Sequence, residues 1–299
     1  MNNNVRKITE GAMMLAIVAV FFIVNRYYAG VFDYFLNFII PYALIIYSAR
    51  NTWKSSFALA FSILFLSLLF GTFVTFFFTS VAVVCGLVYS YGLQKGYNNT
   101  FLLLTTMFIT TLSTIVSTLL LASLFGIDVI AEIKMLETIL NSKSPVVIPA
   151  NIVRIGYLSS VIISGIIEGI AVHLLANVIL KRLKIKVNPI TPINKLKLPL
   201  WFAYLSFLGP VFIVVNESIA LPKPMHDMAM IIAIILFLIL YVFGIIFLIC
   251  YCMVKYKKNL TFIIIAVAFL TSGISTVPIV ILGFLYQTTP FLKSMVGSD

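Results

Sequence analysis

The sequence predicts an all-α protein, a polytopic transmembrane helix bundle of about nine spans (eight possible) with one interfacial amphipathic helix. Three observations predict it. Hydrophobic residues make up 62% of the 299 residues, charged residues only 10%, and mean hydropathy is +1.14. Soluble domains run at about 45–50% apolar and about 25% charged. Apolar runs recur at about the 20-residue length that spans a hydrocarbon core. They lack the strict alternation of a membrane barrel, so their backbone polar groups must be satisfied within helices. This composition excludes an ordinary soluble protein, a disordered chain and a disulfide scaffold.

Each element follows in order. Arg6 and Lys7 precede an apolar run from Gly11 that ends at Asn25 and Arg26 without a small-x-small cleavage pattern. It reads as a first span over Gly11–Tyr28, not a signal peptide. Asp33 marks a short loop. The second span is Tyr34–Ser48, with Pro41 inside it and Arg50 and Lys54 beyond. Ser55 to Gln94 carries no charge and is too long for one helix. Gly71–Thr72 divides it into Ser55–Phe70 and Phe73–Leu93. Eight spans result if this stretch folds as one broken unit. The fifth span is Asn99–Leu124.

In Asp128–Lys143, Val129, Ile133, Leu136 and Leu140 recur at helical spacing, with Glu132 and Glu137 between them. That pattern predicts the interfacial helix. Ala150–Arg182 then predicts a helix of about 50 Å, longer than a membrane is thick. Pro189, Pro192 and Pro199 with Lys195 and Lys197 mark the best boundary in the chain. Three spans follow, at Leu200–Ala220, Met228–Val254 and Leu260–Tyr286. The expected organisation is a six-helix membrane domain over 1–183, a basic linker over 184–199 and a three-helix extension over 200–299.

Net charge is +11. With the N-terminus in the cytoplasm, 14 of the 20 basic residues fall on the inner side. These include Arg50, Lys95, Lys255 and the run from Lys181 to Lys197. The positive-inside preference therefore sets this orientation, with the C-terminus outside after nine spans. The excess charge reads as loop charge, not as a nucleic-acid surface. Cys85, Cys250 and Cys252 lie in apolar runs, where no disulfide is expected.

Ionisable residues inside spans are costly and merit separate weighing. Glu168 sits near the middle of the sixth span, where it reads as an ion-binding, proton-relay or ligand-contacting carboxylate or as a structural partner for an in-membrane donor. Arg154 lies 14 positions earlier, about 21 Å along the helix, too far to pair with it there. Gly165, Gly169, His173 and Asn177 form a row at spacing four on the same helix. Small residues at that spacing let another helix approach closely, so the row faces the bundle. Hydroxyls of the fifth span, Thr105 through Thr118, read as packing groups that bond back to their own helix or, alternatively, as the lining of a polar cavity. No catalytic constellation, nucleotide fingerprint, metal-ligand spacing or cofactor motif appears, so an enzyme is not expected.

The segments TEGAMMLAI (9–17), IPYALIIYSARN (40–51), CGLVYSYGLQKG (85–96) and KLPLWFAYLSFLG (197–209) resemble the YybS-like family of uncharacterised bacterial multi-pass membrane proteins. That resemblance implies a bacterial cell membrane and brings no activity. Residues 1–183 also resemble the substrate-binding component of energy-coupling-factor transporters, which has six helices with both ends cytoplasmic. The A-x-x-x-A surface of that component matches Ala12 and Ala16, which would meet a membrane protein partner. Together these readings predict a protein that binds or helps transport a small polar or amphipathic molecule in the bilayer. The candidate contacts are Glu168, His173, Asn177 and Arg154, and the loop after the first span is a candidate cover. The alternative is a non-transporting scaffold or regulatory partner of another membrane protein, docking through the basic segment 181–197.

Overall fold

The computed structural model describes residues 3–143, 147–185, 199–216, 219, 222–257 and 260–295. Among these residues the regular structure is helical throughout, with no strand. Five helices are long and apolar enough to cross a membrane, and several shorter apolar helices accompany them. The chain divides into two compact units, Met1–Met135 with Ser160–Pro189, and Leu136–Ser159 with Ile190–Asp299. The linker expected over 184–199 lies outside the described residues except at its ends.

The first unit holds α1 (Asn3–Tyr27), α2 (Leu36–Arg50), α3 (Ser56–Phe70), α4 (Phe73–Gln94) and α5 (Asn99–Ile115). The α3–α4 break falls where the sequence puts it. Thr72 caps α4: its hydroxyl accepts from the Thr75 N–H, and Thr75 bonds back to the Thr72 N–H. Gly71 is required by crowding, because a Cβ there would lie 2.6 Å from both Ser67 O and Thr75 Cβ. Asn98 caps α5 by accepting from the Phe101 N–H at 2.7 Å. The fifth span departs from its expected extent. It is α-helical only to Ile115, continues as a π-helical turn over Val116–Leu120 and a 3-10 turn over Ala122–Phe125, and stops at Gly126 with φ +74°. Glycine tolerates that left-handed geometry without strain.

Helices α2 and α4 run side by side in the same direction. Gly86 meets Pro41 and Leu44, the Ser90 hydroxyl reaches Leu44 O, and the Gln94 amide donates to Ser48 O at 2.6 Å. Both series ascend together, which only a parallel pair allows. The apolar core beside them joins Val18 and Phe22 of α1, Ile40 and Leu44 of α2, Ile63 of α3 and Ala82 of α4. The loop between α1 and α2 is pinned by the buried Asp33. Its carboxylate accepts from Asn25 Nδ2 at 2.6 Å and Thr75 Oγ1 at 2.7 Å, and Asn25 Oδ1 accepts from the Phe32 N–H.

Helix α6 (Val129–Lys143) has the expected helical extent and no buried residue. Helix α7 (Ala150–Arg182) has the expected bounds, and its residues from Ser160 onward count with the first unit.

The second unit holds α8 (Leu200–Val215), α9 (Lys223–Tyr256), α10 (Thr261–Leu270), α11 (Ser272–Thr288) and the short α12 (Pro290–Met295). Gly209 lets α8 close on Ala233 and Phe237 of α9. Gly244 of α9 meets the carbonyl of Ile279, and Gly283 of α11 meets the carbonyl of Leu240. Each glycine thus touches the carbonyl four positions before the other. Three positions after each glycine, Phe247 and Tyr286 are in ring contact at 5.5 Å. An antiparallel pair would carry those rings to opposite sides of the crossing, so α9 and α11 run parallel.

The single span expected over Leu260–Tyr286 is therefore corrected. The TSG sequence at 271–273 has poor helix propensity, and the helix breaks at Thr271 with ψ 17°. Helix α10, with its 10 residues, covers only about 15 Å. Its Ala268 carbonyl accepts from Tyr241 Oη of α9 at 3.1 Å. Helix α11 then returns in the direction of α9, so the end of α11 comes back toward the end at which α9 finishes.

Candidate binding site in the interior of the first unit

The site is built on the glycine row of α7. A Cβ at Gly169 would lie 2.5 Å from Met107 Cα, and one at Gly165 would lie 2.5 Å from Thr111 Cα. The Thr110 hydroxyl donates to Gly165 O at 2.7 Å. This backbone contact fixes the rotation of α7 against α5. The same face continues into His173 and Asn177, both almost fully buried. The hydroxyls of Thr105, Thr106, Thr110 and Thr114 bond to carbonyls of their own helix, which satisfies them within α5.

His173 and Asn177 meet Tyr89 of α4. Tyr89 Oη lies 3.2 Å from His173 Nδ1. Asn177 Nδ2 lies 3.2 Å from Tyr89 Oη and 3.1 Å from His173 Nε2, and it donates to His173 O at 2.9 Å. A neutral ring accepting at Nε2 carries its proton on Nδ1, which then donates to Tyr89 Oη. Tyr42 of α2 lies near Tyr89 and Cys85, and Cys85 lies near Glu168. The polar neighbour of the Glu168 carboxylate is the Asn37 side chain of α2. A strip of polar groups thus runs through the interior from Asn37 and Glu168 to His173 and Asn177.

Four oxygens of this strip are buried without a partner: Asn37 Oδ1, Tyr42 Oη, Glu168 Oε1 and Asn177 Oδ1. Leaving a buried polar group unsatisfied costs about 1–3 kcal/mol. Three of the four belong to amides or a carboxylate and can only accept. The interior is thus rich in acceptors. The cavity beside it, lined by Cys85, Tyr89, Leu102 and Thr106, holds about 10 Å³, the space of about one water.

The sequence singles out Glu168, His173 and Asn177, and the structure brings all three to this interior. Arg154 is placed elsewhere: its guanidinium pairs with Asp227 in the second unit. Ala12 and Ala16 lie on the exposed face of α1, opposite the buried Val18 and Phe22. Sequence reasoning missed Asn37, Tyr42 and Tyr89. Asn37 had a signal, since it stands four positions before Pro41 and so loses its helical N–H partner. Tyr42 and Tyr89 had none, because tyrosines in spans usually read as interfacial anchors.

No curated protein and no solved structure matches this chain. Residues 16–144 and 150–285 match the family described as "Predicted membrane protein (DUF2232)". The match covers three of the four segments that carry the YybS-like resemblance, those at 40–51, 85–96 and 197–209, and the chain belongs to the DUF2232 family of predicted membrane proteins.

Proposed function

We propose that this membrane protein binds a small polar molecule in the interior of its first unit, as the recognition step of a transport process. Glu168, His173 and Asn177 are the contacts, with Tyr89 holding the last two in place. The reading rests on one observation: the buried oxygens of Asn37, Tyr42, Glu168 and Asn177 lie along this interior without a protein partner. A ligand bearing N–H or O–H donors would relieve that cost, so donors on the ligand are the expected specificity. In this reading the protein sits in a bacterial cell membrane with its N-terminus in the cytoplasm. Arg50, Lys54, Lys95, Lys181 and Arg182 then share the inner side.

A second element of the reading concerns α1. Its exposed Ala12 and Ala16 offer a smooth helix face to a membrane protein partner, as the resemblance to energy-coupling-factor binding components implies. The basic segment over 181–197 that would serve a scaffold role lies mostly outside the described residues.

The test is purification from native membranes in mild detergent, mass spectrometry of co-purifying small molecules, and thermal melting with and without them. Stabilisation by a donor-bearing molecule that is lost in Asn177→Ala supports the reading. An unaltered shift in both Asn177→Ala and His173→Ala overturns it.

A further inference from the structure

The ends of α2, α4 and α7 meet at one edge of the first unit. Ala49, Leu93, Leu180 and Ile185 pack into one apolar cluster there. The start of α1 joins them through the bond from Asn51 Nδ2 to Glu10 Oε2 at 3.0 Å. Arg50, Lys54, Lys95, Lys181, Arg182 and Lys184 flank this edge, and all six are exposed. Among the described residues the acid beside them is Glu10, which already pairs with Arg6. The edge is therefore strongly cationic and complements an anion.

Lys54 and Lys95 stand on a built shelf. The two turns that carry them are stapled by Gln94, whose Oε1 accepts from the Trp53 N–H at 3.0 Å while its Nε2 donates to Ser48 O. The Trp53 ring meets Tyr91 at 5.2 Å and Phe57 at 5.4 Å. Lys95 Nζ lies 5.9 Å from the centre of the Tyr91 ring. Trp and Tyr rings settle at the level of lipid headgroups, with one end in apolar surroundings and the other wet. Running from the shelf along α3, Phe57, Phe61 and Phe65 recur at spacing four and are all exposed. This stripe covers about 12 Å of helix. Charge, amphipathic rings and apolar stripe thus follow the order of headgroup, ester region and acyl chain in a phospholipid. A soluble acidic partner would use the charge and leave the stripe bare.

We propose that Lys54 and Lys95, beside the Trp53–Tyr91 ring pair, bind the headgroup of an anionic phospholipid whose acyl chain lies along Phe57, Phe61 and Phe65. The surface uses none of the contacts assigned to the polar interior, so either assignment can fail without the other.

The test uses the full chain in mild detergent, titrated with phosphatidylglycerol, with phosphatidylcholine of the same acyl chains, or with inorganic phosphate. Thermal melting and native mass spectrometry of retained lipid are the readouts. Phosphatidylglycerol raises the melting temperature saturably and is retained in preference to phosphatidylcholine. Lys54→Gln and Lys95→Gln each weaken its apparent affinity by about fivefold, and the double variant by about 25-fold. The double variant Lys54→Arg with Lys95→Arg keeps it. Lys255→Gln with Lys257→Gln removes the same charge from exposed positions of the second unit and leaves it unchanged. Equal shifts from the two lipids, a shift from inorganic phosphate alone, or a shift from polyglutamate but not from lipid overturns the proposal. An equal loss in the Lys255 and Lys257 control also overturns it, because bulk charge would then account for the binding.

Discussion

Removing the Asp33 carboxylate should unfasten the loop between α1 and α2 from the start of α4. The Asp33 side chain is 5% exposed and accepts two short bonds on one oxygen, from Asn25 Nδ2 at 2.6 Å and Thr75 Oγ1 at 2.7 Å. Hydrogen bonds to a charged group contribute about 1.5–3 kcal/mol each. Asp33→Ala deletes both and leaves two donors facing a void, so the expected loss is about 3–5 kcal/mol. Asp33→Asn keeps an oxygen in place but not the charge, and should lose about half as much. Thr75→Val alone should cost about 1–2 kcal/mol, and the double variant should lose less than the sum, since the two changes share one bond. The assay is equilibrium unfolding in mixed micelles, with protease cleavage near Tyr28 as the local readout. An Asp33→Ala protein that unfolds within about 1 kcal/mol of the parent, with no new cleavage, would falsify the clasp.

Three further outcomes follow from the packing. Gly169→Val places a side chain on the Met107 backbone, which has no room to give, and should cost about 3 kcal/mol or more, whereas Gly156→Ala, with nothing within 4 Å, should be neutral or mildly stabilising; chemical melts of both variants check the contrast. Gly283→Leu should separate α11 from α9 and lower stability by a similar amount, read by loss of an engineered disulfide between positions 247 and 286. A reporter fused after residue 295 should label from the same side of the membrane as one inserted at Lys257, because α11 runs parallel to α9; labelling from opposite sides would restore the single final span.

Where the sequence carries a sharp local signal, the helices lie where it puts them. The Gly71–Thr72 break, the bounds of α7 and the exposed α6 all follow from composition, capping and period. The glycine row predicts a close helix contact, and Gly165 and Gly169 make it against α5. What escaped is of another kind. The reversal at Thr271 was hidden because its flanks are as apolar as any span, and hydropathy does not record direction. Its cues were the weak helix formers at 271–273 and the Gly244 and Gly283 pair, which gains meaning only once the two are known to touch. In the same way Glu168 was visible as a lone acid, but its partner Asn37 lies 131 positions away on α2. Only the parallel packing of α2 and α4 and the rotation of α7 bring the two together.

The seams of the first unit are unequally held, and in the proposed binding reading that decides where a ligand would enter. The α5–α7 seam is locked by backbone contact at both glycines and by the bond from Thr110 to Gly165 O. The α2–α4 seam is closed at one end by Gln94 on Ser48 and toward the other by the Asp33 clasp beside α4. The α4–α5 seam has apolar contacts and two voids along its length. One is the small cavity beside Tyr89, and the other is a crevice of about 310 Å³ lined by Phe77, Val81, Val84, Ile109 and Leu112. Helix α5 also ends in the π-helical turn at Val116–Leu120, an interruption of the kind that serves as a hinge. On the proposed binding reading, entry should therefore proceed by α5 swinging from α4, which predicts that a disulfide between positions 84 and 109 slows ligand exchange at least tenfold while leaving the equilibrium affinity for the ligand unchanged. Stopped-flow exchange in the oxidised and reduced protein checks this. Equal rates in the two states would move the entrance to another seam.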